Sequence, residues 1–160
     1  MSAATIRPMQ EGDREAVLGL LMELAAHEAG LSATRATGLD TAAALLAADS
    51  QETADHGGAQ LVAEAGGCCV GYLALRLGET GPYVLEPLRQ HVLIENIVVA
   101  ASHRGTGIGQ ALLAAAESFA RQAGCRALHL GVLPGNGAAL LAYERAGFSV
   151  FSIAMARLLD

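Results

Sequence analysis

The sequence predicts a single α/β domain with a parallel strand–helix–strand unit in its second half. The chain has 160 residues, enough for one domain with a core and too few for two. Apolar residues make up 52% of it and charged residues 16%, which is typical of a globular chain. A glycine-rich turn separates the apolar run 91–100 from a helical pattern, and the apolar run 125–133 follows. That order predicts a parallel crossover.

In the first half, strands are predicted where apolar and polar residues alternate, and helices where apolar residues recur every three or four positions. The segments are a strand at 3–8, helices at 13–29 and 39–50, a loop at 51–58, and strands at 59–65 and 68–77. Asp13 is the expected N-cap of the first helix. The prolines and glycines of 78–90 predict a loop.

The second half follows the same logic. The segments are a strand at 91–100, a helix from Ile108 that stops at Gly124, a strand at 125–133, a helix at 136–146 closed by Gly147, and strand material at 148–159. The last segment carries no turn signal, so either one long strand or a tight pair is expected.

Charge and cysteine content exclude several classes of protein. The net charge of −6 argues against a nucleic-acid partner and suits a cationic substrate. No apolar run is long enough to span a membrane, and "MSAATIRPMQEGD" lacks an apolar signal core. The three cysteines show no metal-type spacing. We therefore expect a cytoplasmic protein without membrane contact and without a metal.

The turn "RGTGIG" (104–109) places three glycines at the start of a helix. The first N–H groups of a helix lack partners and carry the positive end of its dipole. Glycines let a loop aim these groups at one anion, so the turn predicts a phosphate site, with a flexible strand-to-helix turn as the alternative. The dinucleotide fingerprint fails at Gln110, and the mononucleotide P-loop needs a lysine that the chain lacks.

Two motifs resemble the GCN5-related N-acetyltransferase (GNAT) superfamily. They are "RGTGIG" directly after the strand "LIENIVV", and "NGAALLAYERAGF" (136–148) downstream; the opening "TIRPM" is similar as well. The resemblance is strong over 92–148 and weak over 30–90. It implies a mixed central sheet of about six or seven strands flanked by about four helices.

The resemblance also implies acetyl-CoA as co-substrate. The backbone from Arg104 to Gln110 would hold the pyrophosphate, and the pantetheine arm would run along the 92–100 strand. Asn136 would cap its helix, touch the cofactor, or do both. The implied cofactor residues are Ile97, Val98, Val99, Arg104, Gly105, Thr106, Gly107, Ile108, Gly109, Gln110, Asn136, Ala139 and Tyr143.

Glu95 is the candidate general base, and matching family members often carry an acid there. Strand parity places it with Leu93, Ile97 and Val99 on an apolar face. A carboxylate in such surroundings has a raised pKa, which suits proton uptake near neutrality, directly or through water. The alternative is an acid on an exposed strand face.

Tyr143 is the candidate acid, because the matching tyrosine protonates the departing thiolate in the family. It lies two helical turns from Asn136 and on the same face. The alternative is a core tyrosine on an amphipathic helix.

The molecule that accepts the acetyl group is the part of the function that the sequence defines least. His27, Glu28 and His91 are candidate substrate contacts, and Asp40 and Glu86 add acidity that suits a small amine such as a polyamine or amino-sugar. A protein N-terminus or lysine, and a non-catalytic acyl-CoA-binding domain, stay open as alternatives. A homodimer is one expected assembly.

Overall fold

The computed structural model describes residues 4–159, which contain one five-stranded sheet and five α-helices. The strands are β1 (Thr5–Pro8), β2 (Ala59–Ala65), β3 (Cys68–Glu79), β4 (Gln90–Val99) and β5 (Leu128–Leu130). The helices are α1 (Arg14–Leu31), α2 (Leu39–Asp55), α3 (Glu86–Arg89), α4 (Ile108–Gln122) and α5 (Gly137–Arg145), with single 3₁₀ turns at Glu11–Asp13 and Ala101–His103.

The strands lie in sequence order, β1-β2-β3-β4-β5. Neighbours are antiparallel except β4 and β5, which are parallel and joined through α4. The predicted α/β class and its parallel crossover are confirmed. The described chain has five strands, fewer than the expected six or seven, and five helices, of which α3 is a single turn.

Apolar side chains fill both faces of the sheet. One core lies between the sheet and α4, and its fully buried residues include Leu73, Leu75 and Leu112. The other lies under α1 and α2 and includes Val17 and Leu46. Burial on two faces explains why 91–100 reads as a continuous apolar run.

Several element boundaries differ from the prediction. β3 extends to Glu79, and α3 occupies part of the expected loop 78–90, because Pro87 fits the first turn of a helix. α2 continues to Asp55, beyond the expected end at 50. β5 covers only 128–130 of the expected 125–133. No helix within 4–159 is both long and apolar enough to cross a membrane.

The C-terminal segment, residues 148–159, does not form the expected strand material. The Phe151 ring packs at a tilt against His129 of β5, with ring centroids 4.5 Å apart. β5 offers only three residues as a pairing edge. The preceding helix α5 contains no buried residue. Six large apolar side chains are left exposed: Val150, Phe151, Ile153, Met155, Leu158 and Leu159.

Asp13 takes its expected N-cap position, but its carboxylate binds elsewhere. It accepts two hydrogen bonds from the Arg7 guanidinium, at 2.7 and 2.9 Å, and one from the backbone N–H of Gln10 at 2.8 Å. The Arg7 bonds, supported by the Gln10 bond, lower the pKa of Asp13 to about 2. The pair ties β1 to the start of α1.

We expect Asp13→Asn to lower the free energy of unfolding near neutral pH and to have progressively less effect as the pH falls. The folded pKa of about 2 lies below the ordinary value of 3.8. The carboxylate therefore stabilises the fold fully above about pH 5, and this contribution is lost as the pH falls toward about 2. The free energies of unfolding of wild type and variant, measured by denaturant titration across this range, should converge as the pH falls.

Glu64→Gln is the matched control, because Glu64 is the other, more exposed partner of Arg7. It should change the free energy of unfolding less than Asp13→Asn does. A gap between wild type and Asp13→Asn that stays constant down to pH 2 would contradict the assignment.

Candidate active site

An open strand edge lies beside the carboxyl end of β4. β4 pairs with β5 through only three residue pairs, the last of which joins Ile94 to Leu130. Its pairing with β3, on the other side, continues to Val99. The backbone groups of 97–99 that point away from β3 therefore have no strand partner within the described chain. An extended ligand could hydrogen-bond to them as an added strand.

A β-bulge in β4 places Glu95. Ile94 and Asn96 lie opposite consecutive residues of β3, so Glu95 between them is an extra residue. The bulge reverses the alternation of side chains, and Ile94 and Ile97 both pack in the core under α4. The expectation that Glu95 shares a face with Ile97 and Val99 is wrong, because strand parity does not continue through a bulge.

Glu95 lies in an ion-pair cluster. Its Oε1 accepts a hydrogen bond from Arg76 Nε at 2.5 Å, and the same nitrogen lies 3.1 Å from Glu52 Oε2 of α2. About a quarter of the Glu95 side chain, 26%, is exposed. The apolar surroundings expected for Glu95 are therefore absent, and its carboxylate is both charge-paired and reachable from solvent.

A buried carboxylate lies behind this cluster. Asp49 of α2, 3% exposed, accepts hydrogen bonds from Tyr72 Oη at 2.9 Å and from Asn96 Nδ2 at 2.8 Å. Burial raises the pKa of Asp49 to about 6. Sequence reasoning missed Asp49, although its helical spacing from Leu46 and Thr53 places it on the buried face of α2.

The glycine turn presents uncapped backbone donors. Gly105 and Gly107 have φ of 75° and 88°, the left-handed region that glycine adopts without strain. Gly107 caps α4 without any side-chain hydrogen bond, and the first helical bond runs from Ala111 N–H to Gly107 C=O. A Cβ at either glycine would meet no atom within 4 Å. The N–H groups of 108–110 have no hydrogen-bond acceptor among the described residues and lie at the positive end of the helix dipole.

Side chains around the turn hold it in place. Arg104 Nε donates to the carbonyl of Val99 at 3.2 Å, and Thr106 Oγ1 donates to the carbonyl of His103. Glu23 of α1 accepts a hydrogen bond from the Ala101 N–H at 3.1 Å. Glu23 lies far from the turn in sequence, so no local pattern could identify this contact. Arg104 remains exposed and free to face an anion.

The helix α5 carries the second motif. Asn136 caps it, with Oδ1 accepting a hydrogen bond from Ala139 N–H at 3.3 Å, as the sequence predicts. Tyr143 packs at the edge of the core, its ring 5.9 Å from that of Phe148 in an edge-on arrangement. Burial, with a further contribution from the negative charge of Glu28, raises the pKa of Tyr143. The end of α1 thus lies close to this tyrosine.

The three candidate substrate contacts have different surroundings. Glu28 lies near Tyr143 and 3.7 Å from Arg35, and His27 is exposed on α1. His91 is buried, and its Nδ1 donates to the Arg89 carbonyl at 3.0 Å. Its ring stacks on that of His129, with centroids 3.9 Å apart. Four strand positions, about 13 Å, separate His91 from Glu95.

A protein-family model described as the Acetyltransferase (GNAT) family matches residues 21–148. The chain belongs to this family. The resemblance carried by the glycine turn and the α5 motif is thereby confirmed.

Similar proteins include a curated acetyltransferase and two solved structures. Streptothricin acetyltransferase from Streptomyces lavendulae is 47% identical over 60 residues, which are 38% of this chain and 32% of that protein. The match therefore spans about a third of the relative's length. A structure of AAC(6')-Iy with the bisubstrate analogue CoA-S-monomethyl-acetylneamine superposes with a TM-score of 0.73 at 22% identity, covering 99% of each chain. A transcriptional regulator from Bacillus halodurans C-125 gives a TM-score of 0.74 at 22% identity, covering 98% of this chain and 99% of that one.

We expect Gly107→Ala to weaken coenzyme A binding. An L-residue at a φ of 88° is strained by about 1–2 kcal/mol, and relief of that strain would turn the N–H groups of 108–110 away from a ligand. The dissociation constant, measured by calorimetry, should rise about tenfold.

Gly12→Ala is the control, since a Cβ there meets no atom within 4 Å and the residue lies outside the turn. An unchanged dissociation constant for Gly107→Ala would contradict a role of the turn in binding.

Proposed function

We propose that residues 1–160 form one N-acetyltransferase domain, which transfers the acetyl group of acetyl-CoA to a primary amine of a small molecule by direct attack in a ternary complex. The observation that carries the proposal is the juxtaposition of the uncapped α4 N-terminus with the open edge of β4. One accommodates a diphosphate, and the other accommodates an extended amide-containing arm.

The proposed binding of acetyl-CoA uses mostly backbone groups. N–H groups of the turn between Arg104 and Gln110 hold the pyrophosphate, with the Arg104 guanidinium beside them. The backbone groups of 97–99 at the open edge, apart from the Val99 carbonyl that Arg104 binds, hold the pantetheine arm. Asn136, Ala139 and Tyr143 line the α5 side. The thioester is thus held near the bulge, where an N–H of Ile97 or Val98 can stabilise the developing oxyanion.

Glu95 accepts the proton of the attacking amine. Because Arg76 bonds to Oε1, the other oxygen, Oε2, takes the proton directly or through one water. The amine nitrogen forms a bond to the carbonyl carbon, and the carbon–sulfur bond breaks. The base therefore works inside a charge cluster, beside the Arg76 guanidinium.

Tyr143 donates a hydrogen bond to the sulfur of the departing coenzyme A. Its raised pKa keeps the hydroxyl protonated at neutral pH, so it can donate a hydrogen bond to the thiolate. The thiolate takes up a proton through the Tyr143 hydroxyl, which solvent reprotonates, so coenzyme A leaves as the thiol while Glu95 returns the amine proton to solvent. Glu95 on β4 and Tyr143 on α5 approach the proposed thioester from different elements.

A basic small molecule is the favoured acceptor. Glu28, Glu52 and Glu95 lie on elements around the proposed site, and the chain carries a net charge of −6. These carboxylates would attract a cationic amine. The streptothricin and aminoglycoside acetyltransferases among the similar proteins are named for amine-bearing antibiotics. They support an amino-sugar or polyamine as the class to test first.

We expect Glu95→Gln to lower kcat by about a hundredfold or more, because the amine keeps its proton. Tyr143→Phe should lower kcat with a smaller effect, because only a hydrogen bond to the leaving group is lost. Thiol release from acetyl-CoA measures both, and calorimetry should show unchanged coenzyme A binding.

Glu15→Gln and Tyr83→Phe are the matched controls, since both residues are exposed. Wild-type turnover in Glu95→Gln would refute the base assignment.

The acceptor class is tested by thiol release across aminoglycosides, polyamines, amino acids and peptides. Turnover restricted to basic small molecules supports the proposal. Turnover on peptides alone favours a protein acetyltransferase. Coenzyme A binding without any turnover favours a non-catalytic acyl-CoA-binding domain.

Assembly and location complete the proposal. The C-terminal segment exposes six large apolar side chains between Val150 and Leu159. A second copy of the chain would bury them in a homodimer. Cys68, Cys69 and Cys125 are all free thiols, which suits a reducing, cytoplasmic setting.

We expect Ile153→Ser combined with Phe151→Ser to convert a dimer to a monomer, because both side chains are largely exposed apolar surface. Light scattering after size exclusion measures the mass. Leu39→Ser, an exposed apolar residue on α2, should leave the mass unchanged. A monomeric wild type would refute the dimer.

A further inference from the structure

Helix α2 bonds directly to one bulge residue of β4, Asn96, and is linked to the other, Glu95, through Arg76. Asp49 accepts a hydrogen bond from the Asn96 side chain, and Glu52, one turn later, shares Arg76 with Glu95. Neighbouring strand pairing does not determine where Glu95 points, because this residue has no Cα partner on β3. The contacts from α2 supply that constraint.

Asp49 lies in apolar surroundings. The core under α1 and α2 contains Leu46, Val62, Val98 and the Tyr72 ring, whose hydroxyl bonds to Asp49. Asp49 itself is 3% exposed. A carboxylate there is costly to ionise, and a leucine would fill such a site at lower cost. Packing alone therefore does not account for an aspartate at this position.

The hydrogen bonds of Asp49 are directed toward β3 and β4. Tyr72 Oη, whose ring is fully buried, donates to Oδ2 and accepts a bond from Gln60 Nε2 at 2.9 Å. Asn96 Nδ2 donates to Oδ1. The carboxylate thus joins α2 to two strands at the level of the bulge.

We propose that Asp49 is a positioning residue, which holds the Asn96 side chain and so fixes the bulge of β4 in the form that directs the Glu95 carboxylate at the amine. The inference rests on the proposed role of Glu95 as general base. Asp49 acts through Asn96 and does not touch the reacting atoms.

Charged groups near Asp49 come from three elements. They are Glu52 on α2, Arg76 on β3 and Glu95 on β4, with the Tyr72 hydroxyl as the remaining titratable neighbour. The negative charge of Glu95 adds to burial in raising the pKa of Asp49. Protonation of Asp49 near pH 6 should therefore contribute to the acid limb of the wild-type pH–kcat profile, and a variant without this carboxylate should lack that contribution.

Two substitutions separate the hydrogen bonds from the charge. Asp49→Leu removes the charge and both hydrogen bonds with a branched side chain of similar shape, so kcat should fall about tenfold to a hundredfold while the coenzyme A dissociation constant stays constant. Asp49→Asn keeps an acceptor for Asn96, while its amide nitrogen would reverse the hydrogen bond with Tyr72 Oη. It should restore most of kcat and lack the Asp49 contribution to the acid limb.

Thr53→Val is the matched control. Thr53 is also buried on α2, and its hydroxyl bonds to the Ser50 carbonyl of the same helix. The variant should keep the wild-type kcat and pH profile. If Asp49→Leu fails to fold, Asn96→Leu takes its place and should show the same loss of kcat at constant coenzyme A affinity.

A direct readout comes from the Asn96 side-chain amide in the full chain, observed by NMR. Its resonances should titrate with the ionisation of Asp49 near pH 6 in wild type and remain flat in Asp49→Asn.

Wild-type kcat in Asp49→Leu, or in Asn96→Leu where that variant replaces it, overturns the inference. An amide that does not titrate also overturns it. If Glu95→Gln is inactive in that case, the proposed function stands without the positioning role. If Glu95→Gln keeps full activity, the base assignment fails first, independently of Asp49.

Discussion

The short parallel pairing between β4 and β5 determines where a ligand can lie in this protein. Three residue pairs join the strands, and the pairing ends at Ile94, immediately before the bulge. Beyond that point β4 keeps its antiparallel partner β3 and exposes its other edge. The same strand leads through a short turn into α4, so the open edge and the helix N-terminus are contiguous. A longer β5 ladder would close the edge and leave the glycine turn without an adjoining groove.

Helix α2 adds a second constraint on the same strand. Its apolar residues cover the sheet, Asp49 bonds to Asn96 of the bulge from the buried side, and Glu52 pairs with Arg76 beside it. The edge and the face of the sheet therefore have different roles. Its edge toward β5 is left open for a ligand, and its face toward α2 carries the charges that surround Glu95.

The parts of the site encoded locally could be predicted from the sequence. The turn around Gly105 and Gly107 is fixed by residues that adopt positive φ, and Asn136 caps a helix that begins one residue later. Both motifs therefore give their element and position directly. The parallel crossover follows from their order along the chain.

The surroundings of Glu95 could not be predicted, because they depend on distant residues. Arg76 lies 19 positions earlier in the chain, and Asp49 lies 47 positions before Asn96. A bulge also arises from the pairing of two strands and leaves no mark in the alternation of one strand. The prediction of strand material at 148–159 was wrong for a related reason. A strand needs an edge to pair with, and β5 offers only three residues.

The helix α5 has no buried residue, whereas β4 lies inside the sheet, between β3 and β5. Elements with few buried contacts open at a lower free energy than the core strands do. On heating, the helix that carries Tyr143 should therefore loosen while the sheet is still intact. Thermal inactivation would then precede global melting, and a ligand that contacts α5 would narrow the interval between them.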